Sequence, residues 1–160
     1  MSEHLTVGIS DMKIGKKDCI LTTYALGSCI GLTFYDAATQ TGALLHIMLP
    51  LNMEAGRKSP LKYADTGIRL TLQELMKAGA LRSNLKVKIA GGAKMFEIAG
   101  GGTLGSIGQR NIESVRTILR RENIPLLKED VGGTIARTMI LNTSTGVASI
   151  RSYGRGEVTL

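Results

Sequence analysis

Cys29 lies between two glycines, in the run Leu26-Gly27-Ser28-Cys29-Ile30-Gly31, and His46 follows on the next apolar segment. The chain has 160 residues but only 2 cysteines and 2 histidines, so few side chains can build nucleophilic chemistry. A cysteine thiolate is a strong nucleophile, and histidine can take up the thiol proton near neutral pH. These residue types predict a thiol nucleophile at Cys29 with His46 as its base.

The surroundings of Cys29 favour this role over that of an inert thiol. A free cysteine usually packs as a small hydrophobic residue, which is the role we predict for Cys19. Gly27 and Gly31 allow a tight turn, so backbone N–H groups around Ser28 and Cys29 can point outward as oxyanion donors. The preceding strand is predicted to end at Gly27 and Ser28, where a side chain can emerge at a rim.

Two other kinds of site are disfavoured. Residues 100–105 read Gly-Gly-Gly-Thr-Leu-Gly, a formal dinucleotide-binding pattern. The pattern needs a strand directly before it and a helix opening within it, and neither is predicted here, so we expect a surface loop. The cysteines and histidines lack the short paired spacings of zinc sites. We therefore predict neither a cofactor nor a metal.

Composition limits the class of protein and its partners. The formal charge is +7, which favours an acidic partner, but the basic residues are scattered and the aromatic content is 4%. Nucleic-acid binding by base stacking is therefore not expected, and an acidic protein partner stays open. The N-terminus lacks the pattern of a signal peptide, and no apolar run reaches the length of a membrane span. We expect a cytoplasmic protein with reduced cysteines.

Hydrophobic patterning predicts many strands and two main helices. Ser59 and Pro60 are typical of a helix start, and Asn111 is a candidate cap for a second helix. The order of elements does not alternate, which favours a single α+β domain over residues 1–160 with a mainly antiparallel sheet or sandwich. Strands are predicted over residues 5–14, 19–26, 30–36, 43–49, 85–89, 124–129, 134–141 and 147–152.

The predicted hairpin raises a difficulty for the pairing of Cys29 with His46. If the strands over 30–36 and 43–49 pair simply, His46 falls opposite Thr33, four positions from Cys29. At ~3.3 Å per residue this is a separation of ~13 Å. Either Gly31 permits a bend or bulge, or the cysteine segment leaves the strand and folds over it.

Seven short motifs together resemble one protein family, the chemoreceptor glutamine deamidases of the CheD type. Each motif alone is weak, but their number and order are specific, and they extend over nearly the whole chain. They are Leu26–Gly31, Phe34–Asp36, His46–Pro50, Gly91–Met95, Gly108–Asn111, Asp130–Gly133 with Arg137, and Thr145–Gly146.

The resemblance implies a catalytic triad of Cys29, His46 and Thr23. Thr23 would hydrogen-bond the imidazole and orient it, and backbone around Gly27 and Ser28 would support the oxyanion. The implied reaction converts glutamine side chains of methyl-accepting chemoreceptors to glutamate, with no cofactor. The family also implies a CheC-type phosphatase as a second partner, so the alternative function is that of a regulator that binds this phosphatase or the receptors with little catalysis.

Two positions depart from the family pattern. Ala90 replaces the usual Phe before Gly-Gly-Ala, and Ile47 replaces the aromatic residue after the histidine. Both positions concern packing or substrate contact, so they bear on specificity more than on mechanism.

Overall fold

Where the structure describes the chain, two five-stranded sheets stack on each other and two α-helices pack against one of them. The computed structural model describes residues 2–51, 59–95 and 106–160. In that part of the chain the strands are β1 (Glu3–Val7), β2 (Asp11–Lys16), β3 (Cys19–Leu26), β4 (Ile30–Asp36), β5 (Thr41–Ile47), β6 (Lys86–Gly91), β7 (Leu126–Val131), β8 (Arg137–Asn142), β9 (Ala148–Ser152) and β10 (Gly156–Thr159), and the helices are α1 (Ala64–Lys77) and α2 (Ile107–Arg121).

One sheet has the order β1-β3-β8-β9-β10 and the other the order β2-β5-β4-β6-β7. Among these strands only the pairs β1–β3 and β6–β7 are parallel. The predicted α+β class, with a mainly antiparallel sandwich and two principal helices, is confirmed. Within the described residues, no helix combines the length and the apolar character needed to cross a membrane.

Strand alternation creates two apolar layers. One face of β4, carrying Ile30, Leu32 and Phe34, packs with β5 and β6 against both helices. The opposite face of the same sheet packs against the second sheet, where Leu44 meets a cluster that includes Leu21. The helices therefore cover one side of a sheet whose other side faces the second sheet, and polar groups between the sheets are shielded from water.

Both predicted helix starts are wrong. Ser59 and Pro60 open a short 3₁₀ turn with Ser59 in the left-handed region, and α1 begins later, at Ala64. Helix α2 begins at Ile107, and Ser106 is its cap: the Ser106 side chain accepts a hydrogen bond from the Gln109 amide. Both expectations followed favourable capping residues, which the tertiary packing of these segments overrides.

The first predicted strand, over residues 5–14, is also wrong, because it is two strands joined by a turn. β1 pairs with β3 in one sheet, and β2 pairs with β5 in the other. Ser10, in the turn, has a positive φ of 58° and its amide donates to the carbonyl of His46 at 2.9 Å. This turn therefore crosses between the sheets directly beside the histidine.

Candidate active site

Thr23 and His46 meet between the two sheets. Thr23 is on the same inward face of β3 as Leu21, and His46 is on the same face of β5 as Leu44, since side chains two residues apart share a face. Thr23 Oγ1 and His46 Nδ1 are 2.7 Å apart, and both residues are fully buried. The pairing of these two residues in the predicted triad therefore has the required geometry.

The hydrogen bonds of Thr23 assign the proton on His46. The Thr23 hydroxyl donates to the carbonyl of Val7 at 2.8 Å. A hydroxyl has a single proton, so towards His46 it acts as acceptor and Nδ1 carries the proton. His46 Nε2 is then the unprotonated nitrogen, and it is buried with no hydrogen-bond partner among the described residues. The lone pair of Nε2 is therefore available to accept a proton.

A bulge in β3 begins the crossing from one sheet to the other. The pairing of β3 with β8 shifts between Thr23 and Leu26, and Ala25 has a positive φ of 58°. Residues 27–29 then form a bend that joins β3 to β4. Cys29 is half-buried on this bend, against the apolar layer between the sheets. The expected departure of the cysteine segment from the strand is present, and the bulge lies before it, not at Gly31.

The expected placement of His46 opposite Thr33 is wrong. β4 and β5 pair from Asp36 with Thr41, which leaves a shorter turn than predicted and places His46 opposite Gly31. His46 is therefore two positions from Cys29 in the ladder, or ~7 Å along the strand. The corrected register shortens the separation along the strand from ~13 Å to ~7 Å. His46 Nε2 makes no hydrogen bond to the Cys29 sulfur, so the structure brings Thr23 and His46 into contact but not His46 and Cys29.

The carbonyls of the cysteine loop are held by the segment after β6. Gly92 N donates to Cys29 O at 2.9 Å, and Ala93 N donates to Gly27 O at 2.8 Å. Gly91 makes this approach possible, because its φ is +112° and a Cβ there would collide with the Cys29 carbonyl. The Gly91-Gly92-Ala93 motif, noted in the sequence only as part of the resemblance, thus supports the loop that carries Cys29.

With those carbonyls engaged, two amides of the same loop remain available. Within the described chain, the N–H groups of Ser28 and Cys29 donate to no other residue. They flank the thiol, which is where an oxyanion forms after attack by a cysteine.

A family model described as "CheD chemotactic sensory transduction" matches residues 48–152. This chain belongs to the CheD family. Curated relatives agree over nearly the full length: a protein of Pyrococcus abyssi is 42% identical over 99% of this chain and 97% of its own. A protein of Symbiobacterium thermophilum is 45% identical over 94% of this chain and 93% of its own. A protein of Desulfitobacterium hafniense is 43% identical over 98% of each chain. Each is named "Probable chemoreceptor glutamine deamidase CheD".

In this CheD-family protein, burial disfavours the charged forms of His46 and Cys29. Desolvation lowers the pKa of His46 to about 4, partly opposed by the carboxylate of Asp11, its pairing partner on β2. Desolvation also raises the pKa of the Cys29 thiol, which its own backbone N–H partly opposes. Both shifts favour a thiol and a neutral imidazole over a thiolate–imidazolium ion pair.

One exposed apolar side chain lies beside the cysteine loop of this CheD-family protein. Met95 is 44% exposed and its side chain lies against Gly27. Tyr24 is 53% exposed, but it lies on the outer face of β3 with Ile20 and Thr22.

The other residues and patterns considered in the sequence do not form part of this site. Cys19 is buried in the apolar layer between the sheets, as predicted. The described residues contain no cluster of three or more His, Cys, Asp or Glu side chains suited to a metal ion. The glycine-rich pattern over 100–105 lies outside the described residues. Ala90, which departs from the family pattern, is buried in the same layer between the sheets.

Proposed function

We propose that this protein hydrolyses glutamine side-chain amides of methyl-accepting chemoreceptors, giving glutamate and ammonia. The observation that carries the proposal is the unprotonated Nε2 of His46, held by Thr23 close to the Cys29 loop. Membership of the CheD family and the names of its relatives support the substrate. Cys29, His46 and Thr23 are the proposed triad.

In the first half of the reaction, the Cys29 sulfur attacks the carboxamide carbon of the glutamine. His46 Nε2 takes the thiol proton during the attack, because the resting thiol is neutral. The carbonyl oxygen becomes negatively charged and accepts hydrogen bonds from the amides of Ser28 and Cys29. The imidazolium then gives its Nε2 proton to the departing nitrogen, so ammonia leaves and a thioester remains.

In the second half, water hydrolyses the thioester. His46 Nε2 takes a proton from the water, whose oxygen attacks the thioester carbon, and the same amides hold the second oxyanion. Collapse breaks the carbon–sulfur bond, and the imidazolium returns its proton to the sulfur. The product is a glutamate side chain, and the enzyme regains a neutral thiol and imidazole.

The chemistry of the surface fits a protein substrate rich in acidic residues. The net charge is +7, and complementary charge speeds the association of protein partners. Both cysteines are free, and we propose that the reaction takes place in the reducing cytoplasm.

We also propose a CheC-type phosphatase as a partner that covers the same surface. The exposed side chain of Met95, which lies against Gly27 of the cysteine loop, is a candidate contact for this partner. In the alternative function, this binding dominates and catalysis is minor. A Cys29→Ala variant that still binds such a phosphatase, measured by calorimetry, would show that binding is separable from the thiol chemistry.

The proposed activity is tested by incubating the purified protein with cytoplasmic fragments of chemoreceptors and mapping their peptides by mass spectrometry. The expected result is an amide-to-acid mass change at particular glutamines, with release of ammonia. Receptor peptides whose glutamines all stay intact, with a protein shown to bind the fragment, would reject deamidation in favour of the binding function.

A further inference from the structure

Asn111 joins the two catalytic segments through one side-chain amide. Its Nδ2 donates to the carbonyl of Ser28 at 2.9 Å and to that of Met48 at 2.8 Å. Ser28 directly precedes Cys29, and Met48 is two residues after His46. Both carbonyls lie just outside the strands, where the β4–β5 ladder no longer fixes the chain.

Asn111 is suited to this double contact and does not otherwise belong in an apolar layer. It is fully buried on the inner face of α2, near Ile112 and Val115. Its NH₂ group provides two donors without a charge, which among short side chains only asparagine does. Its Oδ1 is buried with no hydrogen-bond partner in the described chain. An unpaired buried acceptor is destabilising, so an apolar residue would suit this position better if packing alone were needed.

The contact with Ser28 also orients the amide of Cys29. A trans peptide is planar, so its C=O and N–H point in opposite directions. With the Ser28 carbonyl held towards Asn111, the N–H of Cys29 must point away from the helix. That N–H donates to no other residue of the described chain. It lies next to its own sulfur and partly opposes the rise in the pKa of the thiol that burial causes.

We propose that Asn111 is a positioning residue that aims the Cys29 amide at the oxyanion. This inference deepens the proposed deamidation and rests on it for its biological meaning. Asn111 does not touch the reacting atoms; it acts through the Ser28–Cys29 peptide. Its second bond, to Met48, holds that peptide against the segment that follows the histidine strand.

The role can be separated from a merely structural one by two small reagents. Acylation of Cys29 by p-nitrophenyl acetate passes through an oxyanion, whereas alkylation by iodoacetamide is a direct displacement and forms none. In Asn111→Leu the acylation rate should fall about tenfold to a hundredfold, while the alkylation rate stays near that of the unmodified protein. A general loosening of the loop would change both rates together.

The control is Asn84→Leu, which removes another side-chain amide donor, Nδ2 to Asp36 Oδ1 at 3.2 Å, well away from Cys29. It should leave both rates unchanged. If Asn111→Leu does not fold, Asn111→Gln provides the test, because its longer side chain keeps the donors but displaces them; it should lose acylation selectively too.

Unchanged acylation in a folded Asn111 variant, or equal losses in acylation and alkylation, would overturn the proposal. Neither reagent involves a receptor, so this result is independent of the proposed function. A wild-type protein that left receptor glutamines intact would reject the deamidation without altering the comparison of the two rates.

Discussion

Thr23 accepts a hydrogen bond from His46 Nδ1 across 2.7 Å, because its single hydroxyl proton is already donated to Val7. The acceptor role fixes the tautomer and leaves Nε2 unprotonated, as the proposed base role requires. A carboxylate would do the same and would also stabilise the imidazolium by its charge. The neutral threonine orients the ring without that charge, so we expect modest turnover.

Replacing Thr23 by valine should lower kcat by about tenfold or more, because the side-chain shape is kept while the tautomer is no longer fixed. Thr23→Ser retains the hydroxyl and should keep most of the activity. Thr23→Val also leaves the Val7 carbonyl without its donor, at a cost of about 1–3 kcal/mol in unfolding free energy. The measurement is steady-state deamidation of a receptor fragment together with denaturant unfolding.

The control for this series is Thr22→Val, which changes the neighbouring threonine on the opposite face of β3. Equal activities for Thr22→Val and Thr23→Val would contradict the assigned role of Thr23.

The buried neutral His46 should make the fold less stable in acid. Its pKa is about 4 in the folded state and 6.5 when exposed, so between these values the unfolded chain binds a proton that the folded chain does not. Above pH 6.5 this difference in proton binding has no effect on the free energy of unfolding. As the pH falls from 6.5 towards 4, the free energy of unfolding decreases by about 3 kcal/mol. Denaturant unfolding at a series of pH values measures it.

In His46→Gln this part of the acid destabilisation should disappear. His4→Gln makes the same substitution at the other histidine, which is exposed, and should behave as wild type. An identical pH dependence in wild type and His46→Gln would show that the buried imidazole does not resist protonation.

The neutral resting pair also predicts how Cys29 reacts with iodoacetamide. Because burial raises the pKa of the thiol, the alkylation rate should be low at neutral pH and rise steeply only in the alkaline range. A plateau that extends through neutral pH would indicate a thiolate–imidazolium pair. Peptide mass spectrometry assigns the label to Cys29 and separates it from Cys19, which is buried.

Gly91→Ala should destabilise the protein and disturb the cysteine loop. The new Cβ would collide with the Cys29 carbonyl at a positive φ of 112°, and we expect a loss of at least about 2 kcal/mol. Gly132→Ala is the matched control, since Gly132 also has a positive φ, +83°, but open space around it. Thermal unfolding of the two variants separates the collision from the backbone strain; equal losses would mean that the close approach to Cys29 has no cost.

Local patterning predicted the class of fold and most of the strands, but it merged β1 with β2 and missed β10. Period-2 alternation along Ile30, Leu32 and Phe34 indicated a strand with one buried face, whereas both faces of β4 are buried. The strands predicted over 134–141 and 147–152 correspond to β8 and β9, which form an antiparallel pair. The helix starts could not be predicted, because Ser59 and Asn111 have favourable capping chemistry but are positioned by tertiary contacts.

The site was predictable in part. The rarity of cysteine and histidine made Cys29 and His46 conspicuous, but Thr23 resembles any β-branched strand residue and came only from the family resemblance. Its contact with His46 depends on how the two sheets stack, which no local pattern encodes. The hairpin register was missed by two residues, which lengthened the expected separation of Cys29 and His46 along the strand from ~7 Å to ~13 Å.

The measurement that tests the central claim most directly is the rate of glutamine-to-glutamate conversion in a receptor fragment by Cys29→Ala and Cys19→Ala. Both variants remove one thiol, and Cys19 is the buried cysteine outside the site. We predict that Cys29→Ala has no conversion above the uncatalysed rate and that Cys19→Ala, below its melting temperature, keeps the wild-type rate. Conversion by Cys29→Ala at the wild-type rate would contradict the thiol mechanism.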